Sequence, residues 1–197
     1  MKKDTLVFIG SSGSGKGTQI TLLKEYINKK YPETNILHYD SGVHFRSFVE
    51  RDGYTSQEMR NILGRGELAP DFITGWLLVD ELVNKLTPEK MLMLDGFPRT
   101  MNQALMLDTA FKYYQSHNIK IINIDVSPDE VRRRMVARGR ADDLNVDVIE
   151  KRIKWYEDNV VPVINHFREK ENYEVLDING EVSPDEVHTQ IIQKLNY

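Results

Sequence analysis

Five short apolar, β-branched segments, each followed by a stretch of helical periodicity, most narrow the folds open to this chain. The segments are Thr5–Gly10, Ile36–Asp40, Met91–Asp95, Ile119–Val126 and Tyr173–Ile178. Helix-like patterns run over 16–30, 70–86, 101–116, 128–138, 146–170 and 183–195. Strands that are apolar nearly throughout are covered on both faces, and their alternation with amphipathic helices builds a parallel sheet between helical layers. Crossovers should be right-handed, and ligands should sit beyond the carboxyl ends of the strands. Two parts read less like framework. Residues 41–70 combine short helical patterns with Gly42, Gly53, Gly64 and Gly66, as a small helical insert would. Residues 138–146 form a polar turn between two helices. No repeat or linker divides the 197 residues, which suffice for one domain with a substantial core.

Charge and cysteine content exclude several classes. A formal net charge of -4 argues against a protein that coats nucleic acid with a global positive field, so phosphate recognition has to come from local arginines and backbone amides. The absence of cysteine excludes disulfides and any cysteine-based zinc site. The first predicted strand begins at about Thr5, which leaves no place for a secretory signal before it, and no apolar run is long enough for a bilayer. A cytoplasmic protein with no membrane and no nucleic-acid partner is the expectation.

Directly after the first segment comes Gly10-Ser11-Ser12-Gly13-Ser14-Gly15-Lys16-Gly17-Thr18-Gln19, opening a helix. This is GxxxxGK, with Gly17 where the usual P-loop pattern has Ser or Thr. Its glycines let several backbone N–H groups turn toward one anion, and the helix that follows points its positive end at the same place. Lys16 supplies a cation for β- and γ-phosphates. Nucleotide phosphate binding by Gly13, Ser14, Gly15, Lys16, Gly17 and Thr18 follows. A switch, a motor and a small-molecule kinase all remain open on this motif alone.

The third segment ends in Asp95-Gly96-Phe97-Pro98-Arg99-Thr100, with Gln103 shortly after. A carboxylate ending a strand beside such a loop can act on Mg²⁺, directly or through its waters. A guanidinium just past the strand end matches phosphate geometry. The densest basic stretch is Val131–Arg140. A solvated helix face and a nucleic-acid patch are the plain readings of such a run, the second weakened by Asp142 and Asp143. Arg134 and Arg138, four apart, share one helix face.

Taken with Ser41-Gly42…Arg46, Gly66-Glu67-Leu68…Pro70-Asp71, Arg138-Gly139-Arg140-Ala141-Asp142-Asp143 and Asp177-Ile178-Asn179-Gly180, these motifs run in order over nearly the whole chain and resemble the adenylate kinase family. The resemblance implies a P-loop three-layer α/β/α fold with a five-stranded parallel sheet, in a single domain 1–197 containing the 41–70 insert for the monophosphate and a short 138–146 lid. It implies a monomer that transfers a phosphoryl group reversibly from MgATP to AMP, giving ADP, with Mg²⁺ held through water by Asp95 and no zinc. Family roles carried onto matching positions put Ser41, Arg46, Leu68, Gly96, Arg99, Gln103, Arg140 and Arg152 around AMP, with Gln103 reading adenine. Arg134 and Arg138 join Lys16 at ATP. The catalytic set is Lys16, Arg99, Arg134, Arg138, Arg140 and Arg152, with Asp142 and Asp143 orienting the arginines and magnesium waters. Arg132 and Arg133 have no family counterpart and read as surface charge.

Three positions depart from the family pattern. Ser12 replaces a usual proline, Val43 stands where aspartate is common, and one extra residue falls near Leu144–Val146. The rival acceptors are UMP and CMP. The rival class is a regulatory nucleotide switch, although no Asn-Lys-x-Asp base-reading motif is found.

Overall fold

Leu6 and Phe8 face one way from the first strand and Val7 and Ile9 the other, and all four are buried. That alternation, repeated by Met91 and Met93 against Leu92 and Leu94, divides the core into two clusters on opposite faces of one sheet. The computed structural model describes residues 4–64, 69–138 and 146–197, apart from the side chain of Leu63. The sheet comprises β1 (Thr5–Ile9), β2 (Asn35–Asp40), β3 (Lys90–Asp95), β4 (Ile119–Asp125) and β5 (Tyr173–Asn179). Its order is β2-β3-β1-β4-β5 and every pairing is parallel.

The helices are α1 (Lys16–Lys30), α2 (Ser41–Val49), α3 (Tyr54–Gly64), α4 (Asp71–Lys85), α5 (Met101–Tyr113), α6 (Pro128–Arg138), α7 (Val146–Trp155), α8 (Val161–Arg168) and α9 (Pro184–Leu195). Side chains of α1, α6, α7 and α9 fill the cluster around Leu6 and Phe8. Those of α4, α5 and α8 fill the one around Val7 and Ile9. The result is the expected three-layer α/β/α arrangement. Each large apolar side chain taken fully from water, such as Phe8 or Phe167, contributes about 1.5–3 kcal/mol. A third, smaller cluster of Phe48, Met59, Ile73 and Leu77 joins α2, α3 and α4 without any strand residue.

The helix expected over 146–170 is interrupted. A π-helical turn at Tyr156–Val160 separates α7 from α8, with the Val161 N–H reaching the Tyr156 carbonyl. Pro162 is the cause we assign. It has no N–H to donate to the carbonyl four residues back, and its ring crowds that carbonyl, so the turn widens.

The chain passes from β1 to β2 and β3 on one side of β1, then crosses to β4 and β5 on the other. The crevice at such a reversal, beyond the carboxyl ends of the strands, is where open α/β sheets take ligands. The loop 10–15, the segment 96–100 and the start of α2 all leave strands at that end. Among the described residues no helix is long and apolar enough to cross a membrane.

Candidate active site

The loop after β1 is a backbone device. Gly13 and Gly15 hold φ of 82° and 94°, a left-handed region that side chains avoid, and Gly15 passes directly into α1. A Cβ built on Gly15 or Gly17 would meet no atom within 4 Å, so this rim of the loop is open. The opposite rim rests on α6, with Arg134 Cβ 3.5 Å from the Cβ position of Gly13. Lys16 folds back over the loop. Its Nζ donates to the carbonyls of Gly10 (2.8 Å) and Ser11 (2.9 Å) and lies 3.4 Å from Ser14 Oγ. Burial pushes the Lys16 pKa down to about 8; Asp95 and Asp40 oppose that fall, while Arg99 and Arg138 add to it. A dehydrated ammonium among further cations is relieved by an anion.

Beside it, β3 delivers Asp95 in register with Asp40 at the end of β2. Burial lifts the Asp95 carboxyl above its ordinary pKa, with Lys16 pulling it back and Asp40 adding to the lift. Asp40 also caps α2, accepting from the Val43 N–H at 3.0 Å.

Gly96 is the seat of the next station. Its φ is 71°, and a Cβ there would lie 2.6 Å from Ser41 Oγ and 2.7 Å from Arg99 Nη2. Both side chains close onto its carbonyl instead, Ser41 Oγ donating at 2.8 Å and Arg99 Nε at 2.7 Å. Arg99 keeps surface open to solvent. The protein around its guanidinium still dehydrates it enough to lower its pKa, against Asp95 and Asp40, while Arg152 lowers it further. Arg46 lies over the neighbouring Gly42, its Nη1 3.0 Å from that residue's Cβ position.

Gln103, 6% exposed, spends its amide inside the protein. Its Oε1 accepts from the Arg99 N–H at 2.7 Å, and its Nε2 donates to Asp71 Oδ1 (2.8 Å) and Thr74 Oγ1 (3.0 Å). On the far side, Arg134 donates to Glu130 Oε1 (2.6 Å) and to the Gly180 carbonyl (2.7 Å). Arg138 and Arg152 act at the site through their charges, the first on Lys16 and the second on Arg99. Arg132 and Arg133 are turned to carboxylates, Arg132 to Glu150 (2.5 and 2.9 Å) and Asp129 (2.7 Å), and Arg133 to Glu130. A cavity of about 630 Å³, lined by Ser11, Ser127, Tyr156, Asn179 and Glu181 among others, opens beyond β4 and β5.

Comparison with known proteins bears directly on this geometry. A family profile described as Adenylate kinase matches residues 8–172. The chain belongs to the adenylate kinase family. It is 33% identical over 190 residues to a protein of Corynebacterium diphtheriae named Adenylate kinase, covering 96% of this chain and 98% of that one. It is 30% identical over 182 residues to Adenylate kinase 1 of a Nostoc species, covering 92% and 93%. With an Adenylate kinase of Chlamydia trachomatis it is 30% identical over 215 residues, covering 89% of this chain and 84% of the other. That alignment is longer than this chain, so the Chlamydia relative carries residues this family member lacks.

Of the expected site residues, Gly13–Thr18, Asp95, Gly96, Arg99, Ser41 and Arg46 gather at one end of the sheet. Arg134 lies against the loop, while the charge of Arg138 lowers the pKa of Lys16 and that of Arg152 the pKa of Arg99. Leu68, Arg140, Asp142 and Asp143 lie outside the described residues. Two carboxylates escaped the sequence reading of roles. Asp40 ends its strand as Asp95 ends its own, which was a usable signal. Asp71 stood within a family landmark, but nothing local showed that it would meet three side chains some thirty positions away. Val43 is 52% exposed and leaves the α2 cap to Asp40.

Proposed function

We propose that this chain catalyses the reversible transfer of a phosphoryl group from MgATP to AMP, yielding two ADP, by direct in-line displacement. One observation carries it: two cations, Lys16 after β1 and Arg99 after β3, leave adjacent strands at the same sheet end. They lie close enough that Arg99 lowers the Lys16 pKa. A nucleotide switch needs only the first of these stations. A transferase between two phosphorylated substrates needs both.

The loop N–H groups and Lys16 would hold the donor's phosphates, and Arg99, backed by Gly96 and Ser41, the acceptor's. Arg46 would add charge on the acceptor side, with Leu68 and Arg140 assigned there by family resemblance. Arg134, Arg138 and Arg152 would balance the roughly threefold-to-sixfold negative charge of the transferring phosphates, where fixed cations lower the barrier most. No strong base is required, since positioning carries most of phosphoryl transfer. The cavity beyond β4 and β5 offers room for the donor's nucleoside.

Magnesium fits the residues present. Asp95, with Asp40 beside it, presents hard oxygens whose mutual repulsion a divalent cation would relieve, and Asp95 would hold it through water. When bound, the ion neutralises phosphate charge. The 41–70 insert, which packs on α4 through a small cluster that contains no strand residue, and the 138–146 segment would close over the substrates and keep water from accepting the phosphoryl group. A monomer in the cytoplasm is the setting we propose for this cysteine-free chain.

The test is ATP offered with AMP, CMP, UMP, GMP or dTMP while ADP and free phosphate are both followed. ADP formation should be strongest with AMP and free phosphate negligible. Phosphate release with no acceptor preference would favour the switch.

A further inference from the structure

Asp71 is the first residue of α4, yet its carboxylate is committed to another helix. It accepts from Thr100 Oγ1 (2.9 Å) and Gln103 Nε2 (2.8 Å) at one oxygen and from Asn102 Nδ2 (3.2 Å) at the other. All three donors belong to the cap and first turn of α5, which follow Arg99 directly. One side chain therefore ties the start of α4 to the acceptor station.

Partner chemistry fixes which way the Gln103 amide points. The Arg99 backbone N–H can only donate, so it faces the amide oxygen. An ionised carboxylate can only accept, so Asp71 faces the amide nitrogen. The second amide hydrogen goes to Thr74 Oγ1, whose own hydrogen is directed to the Asp71 carbonyl at 3.1 Å. Both hydrogens are thus spent, and one lone pair of Oε1 is what Gln103 has left for a ligand.

We infer that Asp71 is a positioning residue for acceptor choice, holding the Gln103 amide as an acceptor only. The site then takes a base that presents an amino group at that edge, as a 6-aminopurine does, and loses this bond with a purine that carries only hydrogen at C6, which leaves the buried oxygen unpaired. This rests on the proposed transfer to AMP and on Gln103 reading the base, the role that the family resemblance gives it. Thr74 assists by occupying the second hydrogen.

AMP and purine riboside 5′-monophosphate differ at this edge only in the 6-amino group, which gives way to hydrogen. Their kcat/KM values at saturating ATP test the inference on the unaltered enzyme and on Asp71→Ala, Asp71→Asn, Thr74→Val and Gln103→Ala. A buried acceptor left without its hydrogen should give the unaltered enzyme a preference for AMP of about a hundredfold. Asp71→Ala should cut that preference about tenfold, mostly through the KM for AMP with the KM for ATP unmoved. Thr74→Val, which leaves α4 and α5 tied, should erode it in the same direction. Asp71→Asn should largely preserve it, because its amide oxygen can still accept from Gln103. An unchanged ratio of AMP to purine riboside 5′-monophosphate in Asp71→Ala and Thr74→Val, with a lowered ratio in Gln103→Ala, would overturn the orienting role and leave Gln103 as the reader. An unchanged ratio in Gln103→Ala would remove the base reader and the inference with it. Equal losses for both acceptors in Asp71→Ala, with a lowered melting temperature, would reduce Asp71 to a structural tie.

Discussion

The two proposed phosphate stations are built by opposite means. The one after β1 is local and made mainly of backbone: Lys16 is held by atoms no more than six positions away, and its glycines leave the open rim clear of side chains. The one after β3 is made of side chains from distant segments. Ser41 reaches Gly96 across 55 positions, and Asp71 and Thr74 reach Gln103 and Thr100 across 29 to 32. A backbone cradle tolerates changes of side chain, as Ser12 in place of a proline illustrates. A station stitched from side chains depends on each stitch, and that is where relatives of one fold can diverge in what they accept.

The largest expected contrast comes from removing each cation. Lys16→Met should lower kcat/KM by on the order of a thousandfold while leaving the fold intact, and Arg99→Ala by on the order of a hundredfold or more. Steady-state kinetics varying each substrate should place the Lys16 loss on ATP and chemistry and the Arg99 loss on AMP and chemistry. Equal effects of both variants on both substrates would erase the distinction between the stations.

A smaller effect separates them by pH. Free Lys16 loses its proton at about pH 8, so kcat/KM for ATP should fall about tenfold per unit above that point. The stability of the unliganded fold should move the other way. The unfolded chain keeps this proton up to about 10.5 while the folded one releases it near 8, so unfolding takes up a proton between those values and stability rises with pH. Arg99 stays cationic throughout, so binding of AMP alone should show no such limb from the protein. Calorimetry at pH 7 and 9 in two buffers checks both statements.

The smallest change is one methyl group. Gly96→Ala adds a Cβ within 2.6 Å of Ser41 Oγ and 2.7 Å of Arg99 Nη2, at a φ of 71°. It should raise the KM for AMP about tenfold, leave the KM for ATP unchanged, and cost about 1–2 kcal/mol of stability from the left-handed backbone. A matched rise in both Michaelis constants would mean that Gly96 supports the whole site rather than its acceptor half.

How far the sequence disclosed the molecule follows the same division. The inner strands β1, β3 and β4 were legible because a strand covered on both faces has to be largely apolar, the edge strands β2 and β5 from shorter apolar patches, and the cradle because it is contiguous. Strand order was not, since it is set by crossovers that leave no mark within a strand; the reversal at β1 had to be seen. Pro162 signalled the break between α7 and α8, but periodicity continued across it and masked the turn. Asp40 and Asp71 illustrate the limit best. Their partners are fixed by tertiary contacts, so Asp40 looked like the end of a strand and Asp71 like an ordinary acidic residue opening a helix.

The central claim is that the two stations serve one direct transfer, and a single-turnover experiment with ATP labelled in its γ-phosphoryl group tests it most directly. With AMP present, the label should appear in the β position of the ADP made from AMP, with none on the protein and none in free phosphate. Label retained on the protein, or released to water at a rate independent of AMP, would contradict it.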